Sequence, residues 1–93
     1  MKTRWVRQVG DGLVYAGKCI VYNINLWPND ASDWVDIYDG VDSVSGKLFL
    51  RMETAVVINR EFRCDKGVHF DRGIYLDMTD SDDAVTVVFE PHP

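Results

Sequence analysis

The sequence lacks the features that mark several large classes of protein. It has two cysteines and three prolines among 93 residues, and no apolar run approaches the ~18 residues that span a bilayer. Charged residues near the start are not followed by an apolar segment, so the sequence predicts no signal peptide. We therefore expect a soluble protein made in the cytoplasm, with no membrane as a partner.

The two cysteines, Cys19 and Cys64, have no short metal-ligand spacing. Without a secretory signal, we expect free thiols that pack as small apolar groups, with a disulfide as the alternative. The histidines, His69 and His92, also lack partners at ligand spacing, and a structural role is favoured for His69. No nucleophile or catalytic-base pattern occurs, so the sequence predicts no enzyme and no cofactor.

Basic residues are scarce, at 10 against 15 acidic residues, which gives a net charge of −5. This balance argues against nucleic acid as a partner. Lys2, Arg4 and Arg7 nevertheless place three positive charges in the first seven residues and leave −8 on the remainder. We predict that Lys2, Arg4, Trp5 and Arg7 form a partner-binding site, in which residues 1–7 are a basic docking arm anchored by Trp5. Solvated charges at a frayed terminus are the alternative.

Hydrophobic residues alternate along short runs, and no helical period extends over eleven residues. Clusters of Gly, Asp, Asn and Ser separate these runs, which is typical of a sandwich or barrel. The sequence predicts a single all-β domain over residues 1–93, an antiparallel sandwich that is jelly-roll-like and has eight or nine short strands. The alternating runs are residues 4–9, 13–16, 18–26, 33–38, 47–53, 68–70, 74–77 and 85–90, with residues 55–58 and 61–64 forming one or two more.

Two connections have the composition of hairpin turns. Asp71-Arg72-Gly73 ends in a glycine suited to the left-handed position of a bulged turn, and joins residues 68–70 to 74–77. Gly10-Asp11-Gly12 joins residues 4–9 to 13–16. In residues 18–26 the alternation places four side chains on one face, namely Ile20, Tyr22, Ile24 and Leu26. In residues 47–53 it places Leu48, Leu50 and Met52 inward, and Phe49 outward.

Acidic residues concentrate in two stretches. One contains Asp30, Asp33, Asp36, Asp39 and Asp42, and the other contains Asp80, Asp82 and Asp83. Calcium requires six to eight converging oxygen ligands, and the second stretch lacks the Gly and the distant Glu of an EF-hand loop. We expect solvated turn residues and no tightly bound metal, with a calcium site as the alternative.

Three longer features occur in a fixed order. Ile37-Tyr38-Asp39-Gly40 precedes a Ser-rich loop that ends at Gly46, residues 67–77 read GVHFDRGIYLD, and an alternating strand closes the chain at residues 85–90. Over residues 14–90 this order resembles a group of small all-β proteins encoded by tailed bacteriophages and prophages. The most specific part of the resemblance is the stretch 67–77.

The resemblance implies a virion structural protein with no catalytic residues. The implied function is that of a capsid decoration (cement) protein on the capsid surface, which binds the major capsid protein or another virion structural protein as a homo-oligomer or in multiple copies. The alternative is a carbohydrate- or host-surface-binding module on a tail or capsid appendage, built on aromatic side chains. A sugar binder should expose Trp27 or Trp34 at a loop rim, whereas a cement protein should bury them or cover them with a partner.

Overall fold

The computed structural model describes residues 3–92, and all of the regular elements in that range are β-strands. In chain order they are β1 (Arg4–Val9), β2 (Gly12–Ala16), β3 (Cys19–Trp27), β4 (Trp34–Asp39), β5 (Lys47–Glu53), β6 (Arg60–Phe70), β7 (Gly73–Met78) and β8 (Ala84–Pro91). The predicted all-β class is confirmed. Residues 3–92 contain no helix that is long and apolar enough to cross a membrane.

The eight strands form two four-stranded sheets with jelly-roll connectivity. Sheet A has the order β1-β8-β3-β6, and sheet B has the order β2-β7-β4-β5. Every neighbouring pair is antiparallel. The chain crosses from one sheet to the other at every connection except β4–β5, as in an eight-stranded jelly roll. The predicted sandwich is thus confirmed, with eight strands.

Both predicted hairpins are wrong, because the strands that they join lie in different sheets. β1 pairs with β8 along its whole length, from Arg4 opposite Phe89 to Val9 opposite Ala84. β2 pairs with β7, and β6 pairs with β3. The predicted turns do connect consecutive strands, but each turn leads from one sheet to the other and does not join two paired strands.

The stretch 55–58 is also not a strand, although its apolar residues predict one. It belongs to the loop between β5 and β6, where Val56, Val57 and Ile58 are each more than half exposed. The predicted strand at 61–64 is instead the first part of β6, which continues to Phe70. Its pairing with β3 is interrupted between Arg63 and Val68.

The core lies between the two sheets and contains the inward side chains of both. Its largest fully buried members are Phe89, Ile24, Leu26, Ile37, Ile74 and Leu76. In β3 the expected unbroken alternation is wrong, because a bulge between Val21 and Asn23 changes the parity. Cys19 and Val21 therefore face the core before the bulge, and Ile24 and Leu26 face it afterwards.

Phe49 points inward, contrary to the prediction from alternation. The register of β4 with β5 shifts between Ile37 and Tyr38, so that Leu48 lies opposite Tyr38 and is 52% exposed. The ring of Phe49 packs edge-on against Phe62 and Phe70, with centroids 5.5 and 5.1 Å away. Phe49 thus joins β5 of sheet B to β6 of sheet A.

The two cysteines are free thiols, as expected. Cys19 is 1% exposed in the core, and burial, with a smaller contribution from Asp39, raises the pKa of its thiol to about 11.

Because the thiolate is the nucleophile, we expect iodoacetamide to modify only Cys64 in the native protein at pH ~8. Mass spectrometry should show one added group, and two after denaturation. Native Cys64→Ser should remain unmodified, and rapid labelling of that variant would contradict the burial of Cys19.

Candidate functional site

The strand β1 carries most of the predicted partner-binding residues. We call Arg4, Trp5, Arg7 and Val9 the β1 surface. All four residues are exposed, and Trp5 is 71% exposed. Lys2 lies outside the described residues. Val6 packs against the core, so residues 4–9 form a strand of the sandwich.

The β1 surface lies at the edge of sheet A, since β1 pairs with β8 alone. Trp5, Arg7 and Val9 alternate with the inward Val6, and therefore project from the outer face of the sheet. Among residues 3–92 the ion pairs are Arg51–Asp36 and Arg63–Asp65. The cations of the β1 surface thus have no carboxylate partner in the described part of the chain, and can meet one on another molecule.

The outer face of sheet A also carries exposed apolar side chains where β1 and β3 end. Val9 and Trp27 lie on either side of Ala84 in the strand pairing, and their exposed fractions are 50% and 45%. Trp27 is the last residue of β3, so an exposed tryptophan does occur beside a loop. This is the position that a sugar-binding module would require.

The outer face of sheet B carries aromatic and acidic side chains together. Arg51 donates two hydrogen bonds to Asp36, at 2.6 and 2.9 Å, and its guanidinium carbon lies 4.0 Å from the ring centroid of Trp34. Tyr38 and Tyr75 have ring centroids 6.5 Å apart. Trp34 is therefore partly covered by a side chain of its own sheet.

Two further carboxylates approach each other beside this ion pair. Asp77 lies opposite Asp36 in the pairing of β4 with β7. Burial, followed by the charge of Asp11 and a hydrogen bond with it, raises the pKa of Asp77. Asp11 also accepts a hydrogen bond from the amide of Met78 at 2.6 Å, which joins the β1–β2 turn to β7. These contacts give the carboxylates a structural role on an open sheet face.

The acidic stretches form a cluster that the sequence analysis did not favour. We call Asp30, Asp33, Asp80 and Asp83 the two-loop cluster, because the first two lie in the β3–β4 loop and the others in the β7–β8 loop. Oxygen atoms of Asp30, Asp33 and Asp80 lie within 4.8 Å of one another. Asp33 and Asp83 are 6% and 0% exposed, so they are not solvated turn residues.

Two other aspartates of those stretches, Asp39 and Asp42, lie outside the two loops and accept backbone hydrogen bonds. Asp39 accepts hydrogen bonds from the amides of Asp71 and Arg72 at 3.0 and 2.9 Å. Asp42 accepts bonds from the amide and hydroxyl of Ser45 at 2.7 and 2.8 Å, which lower its pKa. These residues stabilise turns.

The open side of the sandwich, between β5 and β6, contains two grooves. One has a volume of about 510 Å³ and is lined by residues 50–53 and 59–62. The other, of about 410 Å³, includes His69 among its lining residues. His69 is exposed, and its ring centroid lies 6.1 Å from that of His92. The structure thus places the histidine at the surface and not in the core.

No family model, curated protein or solved structure matches this chain.

Partner binding by Lys2, Arg4, Trp5 and Arg7 stays a prediction, and the two-loop cluster corresponds to the calcium alternative that the sequence did not favour. Trp5 and its neighbouring arginines are contiguous, so composition alone marks them. The two acidic loops are far apart in the sequence and meet only because β3, β4, β7 and β8 bring them to one end of the sandwich. A signal was nevertheless present, since in a jelly roll these two connections lie at the same end.

Proposed function

We propose that this chain is a non-enzymatic structural component of a tailed-phage virion. In this proposal it is a capsid decoration (cement) protein at the capsid surface, and its β1 surface binds the major capsid protein or another virion structural protein. The observation that carries the proposal is Trp5, 71% exposed on an edge strand and flanked by exposed arginines. Tryptophan and arginine are enriched among residues that dominate binding energy.

The chemistry of the β1 surface defines the partner that would fit it. A tryptophan requires an apolar pocket, and Arg7, which projects from the same face as Trp5, favours a carboxylate beside that pocket. Arg4 lies opposite the buried Phe89 and therefore has the other parity, so its exposed charge can meet a carboxylate at the edge of the strand. The rest of the chain is acidic, at −8 once the three N-terminal charges are removed, so a partner's acidic patch would be attracted to β1 and repelled elsewhere. The free edge of β1 can also add to a strand of the partner.

The architecture is compatible with this proposal. Jelly rolls occur in viral capsid domains and also in lectins, and a fold does not determine function. The resemblance of residues 14–90 to small phage proteins favours the virion. A decoration protein of this kind would occupy the particle in many copies, without nucleic acid or a cofactor.

Point substitutions in β1 test the proposal better than a truncation, because removing residues 1–7 would also remove Val6 from the core. Trp5→Ala and the double variant Arg4→Glu/Arg7→Glu should each reduce the number of copies on purified particles by about tenfold or more. The variants should remain folded by circular dichroism. Lys66→Glu, which reverses an exposed charge on β6, is the matched control and should keep wild-type occupancy.

A second function, carbohydrate binding, is favoured by the exposed Trp27 beside a loop. The same particle experiment distinguishes the two functions when Trp27→Ala is included. Loss of occupancy in the β1 variants alone supports the docking proposal. Wild-type occupancy in all β1 variants would refute it, and loss of binding to host-surface glycans in Trp27→Ala particles would then support the alternative.

A further inference from the structure

We infer that the two-loop cluster is a calcium site, in which Asp30, Asp33 and Asp80 supply carboxylate oxygens from two loops at one end of the jelly roll, with the buried Asp83 beside them. The inference is independent of the proposed docking function. It selects the alternative that the sequence analysis left open, because the folded chain brings together acidic residues that the sequence separates.

Hydrogen bonds connect the two loops to each other and order each loop around the cluster. The amide of Asn29 donates to Oδ1 of Asp83 at 2.7 Å, and its side-chain nitrogen donates to Asp80 at 3.2 Å. Within the first loop, the amide of Asp30 donates to Asp33 at 3.0 Å. Within the second, the amide of Asp82 donates to Asp80 at 2.9 Å. Because these donors occupy only part of the carboxylates' capacity as acceptors, oxygen lone pairs remain for a cation.

The buried Asp83 is a separate indication of a ligand. Its side chain is 0% exposed, and its second oxygen, Oδ2, has no hydrogen-bond partner. The carboxyl group lies against that of Asp33. A buried carboxylate without a partner is costly unless it is paired, neutralised or bound to a metal. A cation in the cluster would provide the missing partner.

The described part of the chain supplies no cation to this cluster. Both ion pairs in residues 3–92 involve other carboxylates. A divalent ion would relieve the repulsion between the two loops and join them to each other.

The donor set favours calcium over other metals. It consists of carboxylate oxygens, without cysteine or histidine, so it suits a hard cation. Magnesium usually retains several waters and takes one or two carboxylates in strict octahedral geometry. Calcium accepts a larger and less regular set of oxygens, as the cluster offers.

Calcium titration of protein freed of metal with EDTA tests the site. By calorimetry we expect about one calcium per chain, and in about 5 mM CaCl₂ we expect the unfolding temperature to rise by about 5–10 °C, as for a site of submillimolar affinity. MgCl₂ at equal ionic strength should give less than half of this rise. Terbium should bind at the same place and emit when tryptophan is excited, because Trp34 directly follows Asp33.

Substitutions separate the site from general charge effects. Asp80→Asn should abolish the calcium-dependent rise, as should Asp33→Asn. Asp82→Asn removes the same charge from the same loop but lies outside the cluster, and should respond as the wild type does. Asp80 is only partly buried, so its variant provides the test if Asp33→Asn does not fold. No calcium-dependent change in the wild type, an equal response to magnesium, or an equal rise in Asp80→Asn and Asp82→Asn would overturn the inference.

Discussion

Gly73→Val is expected to lower the free energy of unfolding by about 2–4 kcal/mol, because the start of β7 has no space for a side chain. The φ angle of Gly73 is +152°, a conformation that other residues rarely adopt. A Cβ atom there would lie 2.5 Å from the carbonyl oxygen of Tyr15 and 3.0 Å from that of Gly40. Both obstacles are backbone atoms, so neither can move without disturbing β2 or the β4–β5 loop.

Urea denaturation with linear extrapolation measures this loss. Gly73→Ala tests the same position with the smallest side chain and should also lose more than about 1 kcal/mol. Gly12→Ala is the matched control. A Cβ atom at Gly12 would meet the flexible end of the Gln8 side chain, which can rotate aside and give up only long, 3.3 Å hydrogen bonds to the carbonyls of Gly10 and Asp11. Equal stabilities of the two alanine variants would contradict the close approach described for Gly73.

Phe49→Ala is expected to lower the free energy of unfolding by about 2–3 kcal/mol, although alternation in the sequence places Phe49 at the surface. Its ring is the one from β5 that contacts Phe62 and Phe70 of β6. Truncation would remove two edge-on aromatic contacts and leave a gap on the open side of the sandwich.

The adjacent Leu48 provides the control for this prediction. Its side chain is 52% exposed, so Leu48→Ala should cost less than about 1 kcal/mol. Chemical denaturation of both variants decides between the two orientations. If Leu48→Ala were the more destabilising variant, the register shift between β4 and β5 would be wrong, and the simple alternation would be correct.

The fold class and most strands could be predicted from the sequence because each rests on local alternation. The residues predicted for β4 and β5 agree closely with the observed strands. Strand partners could not be predicted in this way. A turn such as Asp71-Arg72-Gly73 has the same composition whether the next strand pairs with the previous one or enters the other sheet.

Side-chain orientation was predictable only up to the first bulge in a strand. One inserted residue reverses the parity of every position that follows. This is why Phe49 was assigned to the wrong face. It is also why Cys19 and Ile24, which have opposite parity in β3, both face the core of the sandwich. The members of the two-loop cluster converge through the pairing of distant strands, so local alternation does not reveal the cluster, and only the jelly-roll topology places its two loops at one end.

The position of β8 inside sheet A has a consequence for how the protein is made. Both β1 and β3 hydrogen-bond to β8, and β1 has no other neighbour in the sheet. During translation the edges of β1 and β3 that pair with β8 therefore remain unpaired until residues 84–91 have left the ribosome. Folds dominated by such sequence-distant pairings form slowly, in milliseconds to seconds, and exposed edges favour aggregation. Formation of sheet A is thus a late event, and nascent chains that stop before β8 should depend on chaperones to remain in solution.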